Sequence, residues 1–509
     1  MPAVYVPADP PHPKTCTAFV LVHCAIMGLG AVVGLTWPWG FWDVPVPTLV
    51  RACSVVLLLL FGWSFWSWAA LTGSWFDPYS IFLVAANLFN AGQAFLEALN
   101  LNPFGILPGL FTPETVLKTL FMVFLGLGAL HLGALLSVGM VAGRSSEPGP
   151  ADRHWSPSAA DVRAAGWVLL LISFVPTVLV LKDAVDLVLS SGYSALYQRE
   201  KVTGLSNAPQ ILSTFLVPAA LFMLAGSKGA PVSRAVSAMM ILAQACCQLF
   251  LGYRYHAVMP VVAYLWVWHQ CIRPLSRSAV LATVAGLVFI VFPVVAATRD
   301  VRGQERLSVE FLKSAFSSID NPAAKTVNEM GGSMQTVAHT LERVPAERDY
   351  DGGVGYLYGL FTIFPNLFWD IHPAIAYGTP SSWLIWAVDP YIASMGGGLG
   401  YSFIAEAYFN FGWLGVPAVT GLLGLIYGAF AVWALRGGPH RTARLALVAS
   451  FCSFFTFYAR EDLAEVFRSL VWYSLGPYLL VFVIYSLRGR PAQPLVSQPS
   501  AGPLPAPQQ

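Results

Sequence analysis

Long apolar runs recur along this chain, and they restrict its fold more than any other feature of the sequence. The chain has 509 residues, of which 56% are hydrophobic and only 11% are charged. A helix needs roughly 20 apolar residues to cross the hydrocarbon core of a bilayer, where every backbone polar group must be paired internally. The sequence therefore predicts an all-α integral membrane protein with about twelve transmembrane helices. The predicted spans cover residues 17–37, 52–71, 79–99, 117–141, 164–182, 209–226, 235–252, 256–270, 279–297, 413–434, 445–459 and 469–487.

Basic residues cluster in alternate loops between these runs and predict the orientation. Short cytoplasmic loops of membrane proteins retain Lys and Arg, whereas long loops cross the membrane whatever their charge. We therefore expect both termini in the cytoplasm and the long segment after residue 297 outside it. The clusters are Arg144, Arg153 and Arg163; Lys228 and Arg234; Arg273 and Arg277; Arg436, Arg441 and Arg444; and Arg488 and Arg490.

Four regions follow from this pattern. Residues 1–297 form a transmembrane bundle of nine spans, and residues 298–398 form one large extracytoplasmic loop with short helices. One of these helices is predicted at residues 308–319, and Asn321 is the predicted cap of the next. Residues 399–487 contain a re-entrant helix, a break at the NFG sequence of residues 410–412 and the last three spans. The Pro- and Gln-rich residues 488–509 form a disordered cytoplasmic tail. The net charge is only +2, because basic and acidic residues nearly cancel, so nothing in the sequence supports nucleic-acid binding.

Two arginines lie in short loops that should face away from the cytoplasm. These are Arg254 in LGYRYH and Arg460 in FYAREDLAEVFR. One explanation is snorkelling, in which the apolar stem lies along lipid and the guanidinium reaches the headgroups. Both arginines, however, lie between two spans with aromatic neighbours, including Tyr253 and Tyr255. We therefore favour an outward-facing anion site.

Acidic residues near the same face are the second candidate group. Glu406 lies in the apolar run AEAYFNFGWLG, where a carboxylate is costly unless it is paired or functional. It is a candidate for an ion-pair partner of an outer arginine, a general base or a substrate ligand. Asp462 is close in sequence to Arg460 and is a candidate to hold its guanidinium. The Asp349-x-Asp351 pair precedes two glycines and favours a turn, so we predict no metal site and no cofactor.

Several runs carry a resemblance to a known family. LGYRYH, NEMGGSMQTVAHTLERVP, YDGGVGYLYGLFTIFPNLF and AEAYFNFGWLG together resemble the O-antigen and exopolysaccharide repeat-unit polymerases. The resemblance implies a GT-C-like glycosyltransferase, independent of metal, in the bacterial inner membrane. Its active face would be periplasmic, and it would join undecaprenyl-diphosphate-linked oligosaccharide repeat units with release of the lipid diphosphate. Membrane lipids and a chain-length-regulating co-polymerase are the further partners it implies.

The resemblance also gives the candidate residues specific roles. Arginine matches the oxygens of a diphosphate in bidentate fashion, so Arg254 and Arg460, followed by Arg299 and Arg302, are the predicted contacts of the leaving group. Glu406 is the predicted general base and Asp462 the reserve. The predicted sugar contacts are Tyr253, Tyr255 and Tyr401.

Two other functions agree with parts of the sequence. An O-antigen ligase would carry a histidine ahead of the Gly412–Gly415 turn, but the corresponding residues are Gly400, Tyr401 and Ser402. The spaced Arg-to-Gly repeats of some polymerases are not evident either, so their residues cannot be transferred to this chain. A flippase of lipid-linked sugars would show internal repeats and ionisable groups near the middle of the membrane. Most spans here lack charge, which favours the polymerase.

Overall fold

The computed structural model describes most of the chain as helices. It covers residues 13–36, 44–102, 105–142, 156–198, 204–298, 321–365, 371–438 and 440–488, together with 308, 310 and 369. All regular secondary structure in these ranges is helical, and eleven segments are long and apolar enough to cross a membrane. The prediction of an all-α membrane protein is therefore confirmed.

The helices are numbered in chain order. The first part of the bundle contains α1 (Pro13–Thr36), α2 (Val46–Thr72), α3 (Pro78–Ala98), α4 (Pro113–Ala142), α5 (Ala159–Ser191), α6 (Ala208–Ser213), α7 (Leu216–Ala225), α8 (Pro231–Leu251), α9 (Arg254–Cys271), α10 (Arg277–Gly286) and α11 (Phe292–Thr298). The short helices α12 (Pro322–Met330), α13 (Ser333–Arg343), α14 (Val354–Phe361), α15 (Pro373–Tyr377), α16 (Pro380–Val388) and α17 (Pro390–Ser394) follow. The chain then returns to the bundle with α18 (Phe403–Leu435), α19 (Arg441–Phe455), α20 (Ala464–Leu470) and α21 (Gly476–Leu487).

The predicted span at residues 256–270 differs from the others. Those residues lie in α9, which has 18 residues but is not among the eleven segments that meet the hydropathy requirement for a span. Its position inside the bundle explains why α9 tolerates this low hydropathy. Trp266 and Val267 are fully buried, and the Tyr264 hydroxyl lies 3.1 Å from the Ser237 hydroxyl of α8. A helix that faces protein rather than lipid can carry polar and aromatic side chains.

Small residues bring α4 and α18 into close contact at the centre of the bundle. A Cβ at Gly424 would lie 1.8 Å from the Leu130 carbonyl oxygen, and one at Gly133 would lie 1.9 Å from the Gly421 carbonyl oxygen. Neither distance is possible for a real side chain, so glycine is required for this backbone separation. This is the packing that small residues permit between membrane helices.

Residues 321–402, here called the loop segment, pack against one end of the bundle. Gly331, between α12 and α13, contacts α3, since a Cβ there would lie 2.7 Å from the Gln93 amide nitrogen. As predicted, Asn321 caps α12, and its Oδ1 accepts a hydrogen bond of 2.9 Å from the Ala324 amide. The end of the bundle that contacts this segment is called the loop face below. The helix expected at residues 308–319 lies largely outside the described residues.

Four helices of the loop segment begin in the same way. Each starts with proline, and the residue before it accepts a hydrogen bond from the first turn through its side chain. Proline suits this position because its fixed φ is helical and its missing N–H would be unpaired there anyway. The helices are α12, α15, α16 and α17, with the caps Asn321, His372, Thr379 and Asp389.

The return to the bundle is made by a broken helix. Ser402 caps α18, and its hydroxyl accepts hydrogen bonds from the Ile404 and Ala405 amides at 3.1 and 3.4 Å. The helix is interrupted at Gly412, where φ is 67° and ψ is −157°. The interruption lies in the NFG sequence that predicted it. The first part of α18 therefore forms a separate short helix at the loop face and carries Glu406.

Candidate functional site

Polar side chains from three membrane elements meet at the loop face. Glu406 lies in the first turn of α18, and Arg460 and Asp462 follow α19. Asn90 of α3 connects these two elements, since its Nδ2 donates to the Ala459 carbonyl at 3.0 Å and its Oδ1 accepts from the Ser402 hydroxyl at 2.5 Å. The helix that presents Glu406 and the turn that presents Arg460 are thus fixed to the same buried amide.

We call Glu406, Arg460, Asp462, Tyr356, Tyr401 and Tyr458 the acidic cluster. Glu406 is 2% exposed, and its two carboxylate oxygens accept from the Leu463 amide at 3.2 and 3.1 Å. The phenols of Tyr356 and Tyr458 are close enough to interact electrostatically with this carboxylate. Among the described residues no ion pair involves Glu406. The structure therefore gives no support to a role for Glu406 as the ion-pair partner of an outer arginine.

Asp462 is fully buried, and only one of its two carboxylate oxygens has a hydrogen-bond partner among the described residues. Its Oδ2 accepts from the Ser381 hydroxyl of α16 at 2.6 Å, whereas its Oδ1 has no hydrogen-bond partner within the described residues. Burial raises the pKa of this carboxyl, and the hydrogen bonds from Ser381 oppose that shift. The described residues show no ion pair between Asp462 and Arg460.

Arg460 is held by an aromatic ring and by backbone contacts. Its Cζ lies 5.5 Å from the centre of the Phe89 ring, within the range of a cation–π interaction. Its carbonyl accepts from the Tyr401 amide at 2.7 Å. A Cβ at Gly400 would lie 3.2 Å from Nη2, so glycine leaves room for the guanidinium. The buried Nε has no hydrogen-bond partner in the part of the chain that the structure describes.

The residue after Arg460 adds a third carboxyl to this corner. Burial raises the pKa of Glu461 from 4.5 to about 8, while the neighbouring Arg460 acts in the opposite direction. A raised pKa favours the neutral form of this carboxyl, so Glu461 offsets the positive charge of Arg460 less than an ordinary glutamate would.

Arg254 differs from Arg460 because it has an acidic partner. Its Nη1 lies 2.5 Å from Oε2 of Glu329 in α12, and the Arg254 side chain is 20% exposed. Glu329 precedes Gly331, which packs on α3 one turn beyond Phe89. The two predicted arginines therefore lie at the same end of the bundle, on neighbouring elements.

The predicted sugar contacts have different surroundings. Tyr253 packs against the rings of Tyr193 and Tyr197, with centroids 6.2 and 6.1 Å away. The Tyr255 hydroxyl donates to the Ser453 carbonyl at 2.5 Å. Tyr401 is fully buried, with its hydroxyl 3.3 Å from that of Thr340. Arg299 and Arg302, the two further predicted diphosphate contacts, lie outside the described residues.

Sequence reasoning missed two residues of the site. Arg348 lies over the rings of Phe409 and Trp383, with its Cζ 4.8 and 5.4 Å from their centres. The sequence places it only in a long loop, where arginines are common. Asn90 was also missed, although an amide inside an apolar span is itself a signal of a buried polar contact.

The Asp349-x-Asp351 sequence forms a turn, as expected. Oδ2 of Asp351 accepts from the Gly355 amide at 2.6 Å, and Asp349 is exposed. Over the described residues no group of three His, Cys, Asp or Glu side chains is arranged to hold a metal ion. The side chains of the acidic cluster are two carboxylates, three phenols and one guanidinium.

A comparison with protein families decides what kind of protein carries this site. The sequence model described as "O-antigen polysaccharide polymerase Wzy" matches residues 36–488, which is most of the chain. The chain belongs to the Wzy O-antigen polymerase family. No curated protein and no solved structure gives a match. The resemblance stated above is therefore confirmed at the level of the family.

Family membership gives the site a general chemistry. Wzy polymerases are polymerising glycosyltransferase-type enzymes that act on lipid-linked oligosaccharide repeat units in membranes. The matched range contains every residue of the acidic cluster and the whole described loop segment. Membership in this family favours polymerisation over the ligase and flippase alternatives.

Proposed function

We propose that this Wzy polymerase transfers the growing glycan from undecaprenyl diphosphate to the sugar end of an incoming lipid-linked repeat unit. The reaction takes place at the periplasmic face of the bacterial inner membrane, within the acidic cluster, and it releases the lipid diphosphate. Family membership supports the reaction class. The unpaired polar atoms of the acidic cluster support this cluster as the place of the reaction.

Two buried polar atoms on the charged groups of the cluster have no hydrogen-bond partner among the described residues. They are Nε of Arg460 and Oδ1 of Asp462. A buried unpaired polar group costs about 1–3 kcal/mol, so this pair favours a place where a ligand supplies the missing partners. One donor cation and one carboxylate acceptor match a phosphate that lies beside sugar hydroxyls. This is the observation that carries the proposal.

The reaction divides between Glu406 and Arg460. The acceptor hydroxyl attacks the anomeric carbon of the donor sugar and transfers its proton to Glu406. The bond from that carbon to the diphosphate breaks, and its electron pair remains on the phosphate oxygen. Arg460 stabilises the charge that develops there. Asp462 is the reserve base and, through its free Oδ1, a ligand for a second sugar hydroxyl.

Arg254 has a secondary role in this proposal. Its ion pair with Glu329 is partly exposed, so a diphosphate with two or more negative charges competes with a single carboxylate for its guanidinium. Arg299 and Arg302 remain proposed contacts of the same group. Tyr253, Tyr255 and Tyr401 remain proposed sugar contacts, and a chain-length-regulating co-polymerase is a proposed partner.

The test is replacement of Arg460 by Ala. We expect polymerisation of undecaprenyl-diphosphate-linked repeat units to fall about 100- to 1,000-fold, the usual cost of losing one such donor. Arg460→Lys should restore little activity, because an ammonium cannot bind in bidentate fashion. The measurement is the ladder of chain lengths formed by the protein in a strain that lacks its own polymerase.

Lys118→Ala is the matched control. Lys118 is also a cation near the loop face, but it is 43% exposed and, within the described part of the chain, its one ion pair is with Glu114 one turn away on α4. We expect a wild-type ladder from this variant. Single repeat units that accumulate on the lipid with Arg460→Ala support a polymerase, and complete chains stalled on the lipid would indicate a ligase instead. A wild-type ladder from Arg460→Ala would exclude the proposed site.

A further inference from the structure

The break in α18 leaves backbone carbonyls that need donors from elsewhere. Because the helix is interrupted at Gly412, carbonyls in its last turn before the break lack the usual amide four residues later. The carbonyl of Phe409 accepts from the Asp351 amide at 3.1 Å, and that of Asn410 accepts from the Gly352 amide at 2.9 Å. A turn of the loop segment therefore caps this half-helix from outside.

The side chain of Asn410 extends the cap towards the site. Asn410 is 1% exposed, and its Oδ1 accepts from the Gly353 amide at 3.0 Å. Its Nδ2 donates to the backbone carbonyl of Glu406 at 2.8 Å. One buried amide thus connects the turn directly to the residue that carries the candidate base.

The turn itself is fixed by the loop segment. Gly352 and Gly353 have φ values of 63° and 90°, which only glycine adopts without strain. The Asp351 carboxylate accepts from the Tyr377 hydroxyl, and it lies 3.4 Å from the Arg348 guanidinium. The Tyr350 ring covers the break, since a Cβ at Gly412 would lie 3.1 Å from its Cζ. Movement of the loop segment would consequently move the cap.

We infer that Asn410 is a positioning residue, and that it and the turn at residues 350–353 hold Glu406 in place relative to Leu463 and Asp462. The loop segment thereby controls the placement of the carboxylate. The catalytic consequence rests on the proposed function, because it takes Glu406 as the base. The cap itself does not depend on that assignment.

A purely local role for Asn410 is the alternative, and the chain provides a control for it. Asn87 of α3 is also buried, at 2% exposed, and its Nδ2 donates to the Leu83 carbonyl four residues earlier at 2.8 Å. Its bond has the same geometry as the bond from Asn410 to Glu406. Asn87 has no hydrogen bond to the loop segment among the described contacts. The variant Asn87→Ala therefore loses only the local bond within the helix.

Hydrogen exchange on the purified full-length protein tests the cap without any substrate. In Asn410→Ala we expect the amides of residues 351–353 and 403–411 to exchange about tenfold faster than in the wild type, because one buried hydrogen bond to each element is lost. In Asn87→Ala we expect both regions to stay as in the wild type. Unchanged exchange at residues 351–353 in Asn410→Ala would overturn the inference.

Kinetics test the positioning role. We expect Asn410→Ala to lower kcat about tenfold with KM for the lipid-linked repeat unit unchanged, since the substrate contacts remain and only the base is displaced. Asp351→Asn weakens the same cap. The kcat of the double variant should therefore be no lower than that of the less active single variant. Additive losses would overturn the coupling. If even the wild-type protein fails to polymerise, the proposed function is wrong while the exchange result stands.

Discussion

At the residue scale, the acidic cluster separates charges that most proteins would pair. Glu406 is buried and Arg460 half-buried at the loop face, and each is held by backbone groups and aromatic rings, without an ion pair to any residue that the structure describes. Removing a charge from water without a partner costs free energy. A ligand that brings a diphosphate to Arg460 and a hydroxyl to Glu406 recovers part of that cost on binding. The arrangement therefore favours function over stability.

Glu406→Gln separates the general-base role from a purely structural one. The amide keeps the size of the side chain and one acceptor oxygen for the Leu463 amide, but it cannot take a proton. We expect polymerisation to fall about 100- to 10,000-fold, the range for loss of a general base. Membrane expression should stay at the wild-type level. Activity close to the wild type, measured with the same chain-length ladder, would remove Glu406 from the mechanism.

At the scale of elements, α18 performs two tasks that its break separates. The residues before Gly412 present Glu406, and the residues after it cross the bundle against α4. Glycines at positions 421, 424 and 133 bring the two helices into backbone contact. Such packing leaves the part of α18 after the break little room to shift against α4.

Gly424→Ala tests the contact between α4 and α18. A Cβ there would lie 1.8 Å from the Leu130 carbonyl, so the helices must separate, and overpacking of this kind typically costs about 1–3 kcal/mol. We expect the Tm of the detergent-solubilised variant to be lower than that of the wild type. Light scattering or intrinsic fluorescence during heating measures it. Gly139→Ala on α4 is the control, because nothing lies within 4 Å of its Cβ and alanine favours a helix. Equal Tm values for the two variants would contradict the proposed packing.

At the scale of the whole molecule, the loop segment covers one end of a helical bundle. Its helices contact α3, α4, α18 and the turn after α19. They supply Tyr356 to the acidic cluster and Ser381 as a hydrogen-bond donor to Asp462. The site is thus composite, with its charged groups on α18 and the turn after α19 and its outer wall on the loop segment. The GT-C-like arrangement and the cytoplasmic termini remain predictions.

Reporter fusions test the predicted orientation. Alkaline phosphatase fused after Glu347 should be active, because it folds only outside the cytoplasm. The same enzyme fused after Gly229, in the basic loop between α7 and α8, should be inactive. β-Galactosidase at the two positions should give the opposite result. Active phosphatase at Gly229 would reverse the topology and move the site to the cytoplasmic face.

The sequence predicted features that depend on neighbouring residues better than features that depend on distant ones. The Asn321 cap depends on residues within three positions of Asn321, and the interruption of α18 depends on the NFG sequence itself. The ion pair of Arg254 with Glu329 joins positions 75 residues apart, and the bond of Ser402 to Asn90 joins positions 312 residues apart. No periodicity or spacing reports such distances. The burial of α9 is a further feature of this kind, because it depends on helices elsewhere in the chain.

The proline starts and side-chain caps of the loop segment have a consequence for ligand binding. Proline limits the conformations of the unfolded chain, and each cap completes a helix turn without help from a core. The segment therefore loses less conformational entropy when it becomes ordered than a glycine- or serine-rich loop of equal length. A binding wall that is already ordered leaves more of the interaction free energy for affinity. An ordered wall of this kind lowers the entropic cost of binding the sugar part of a lipid-linked repeat unit.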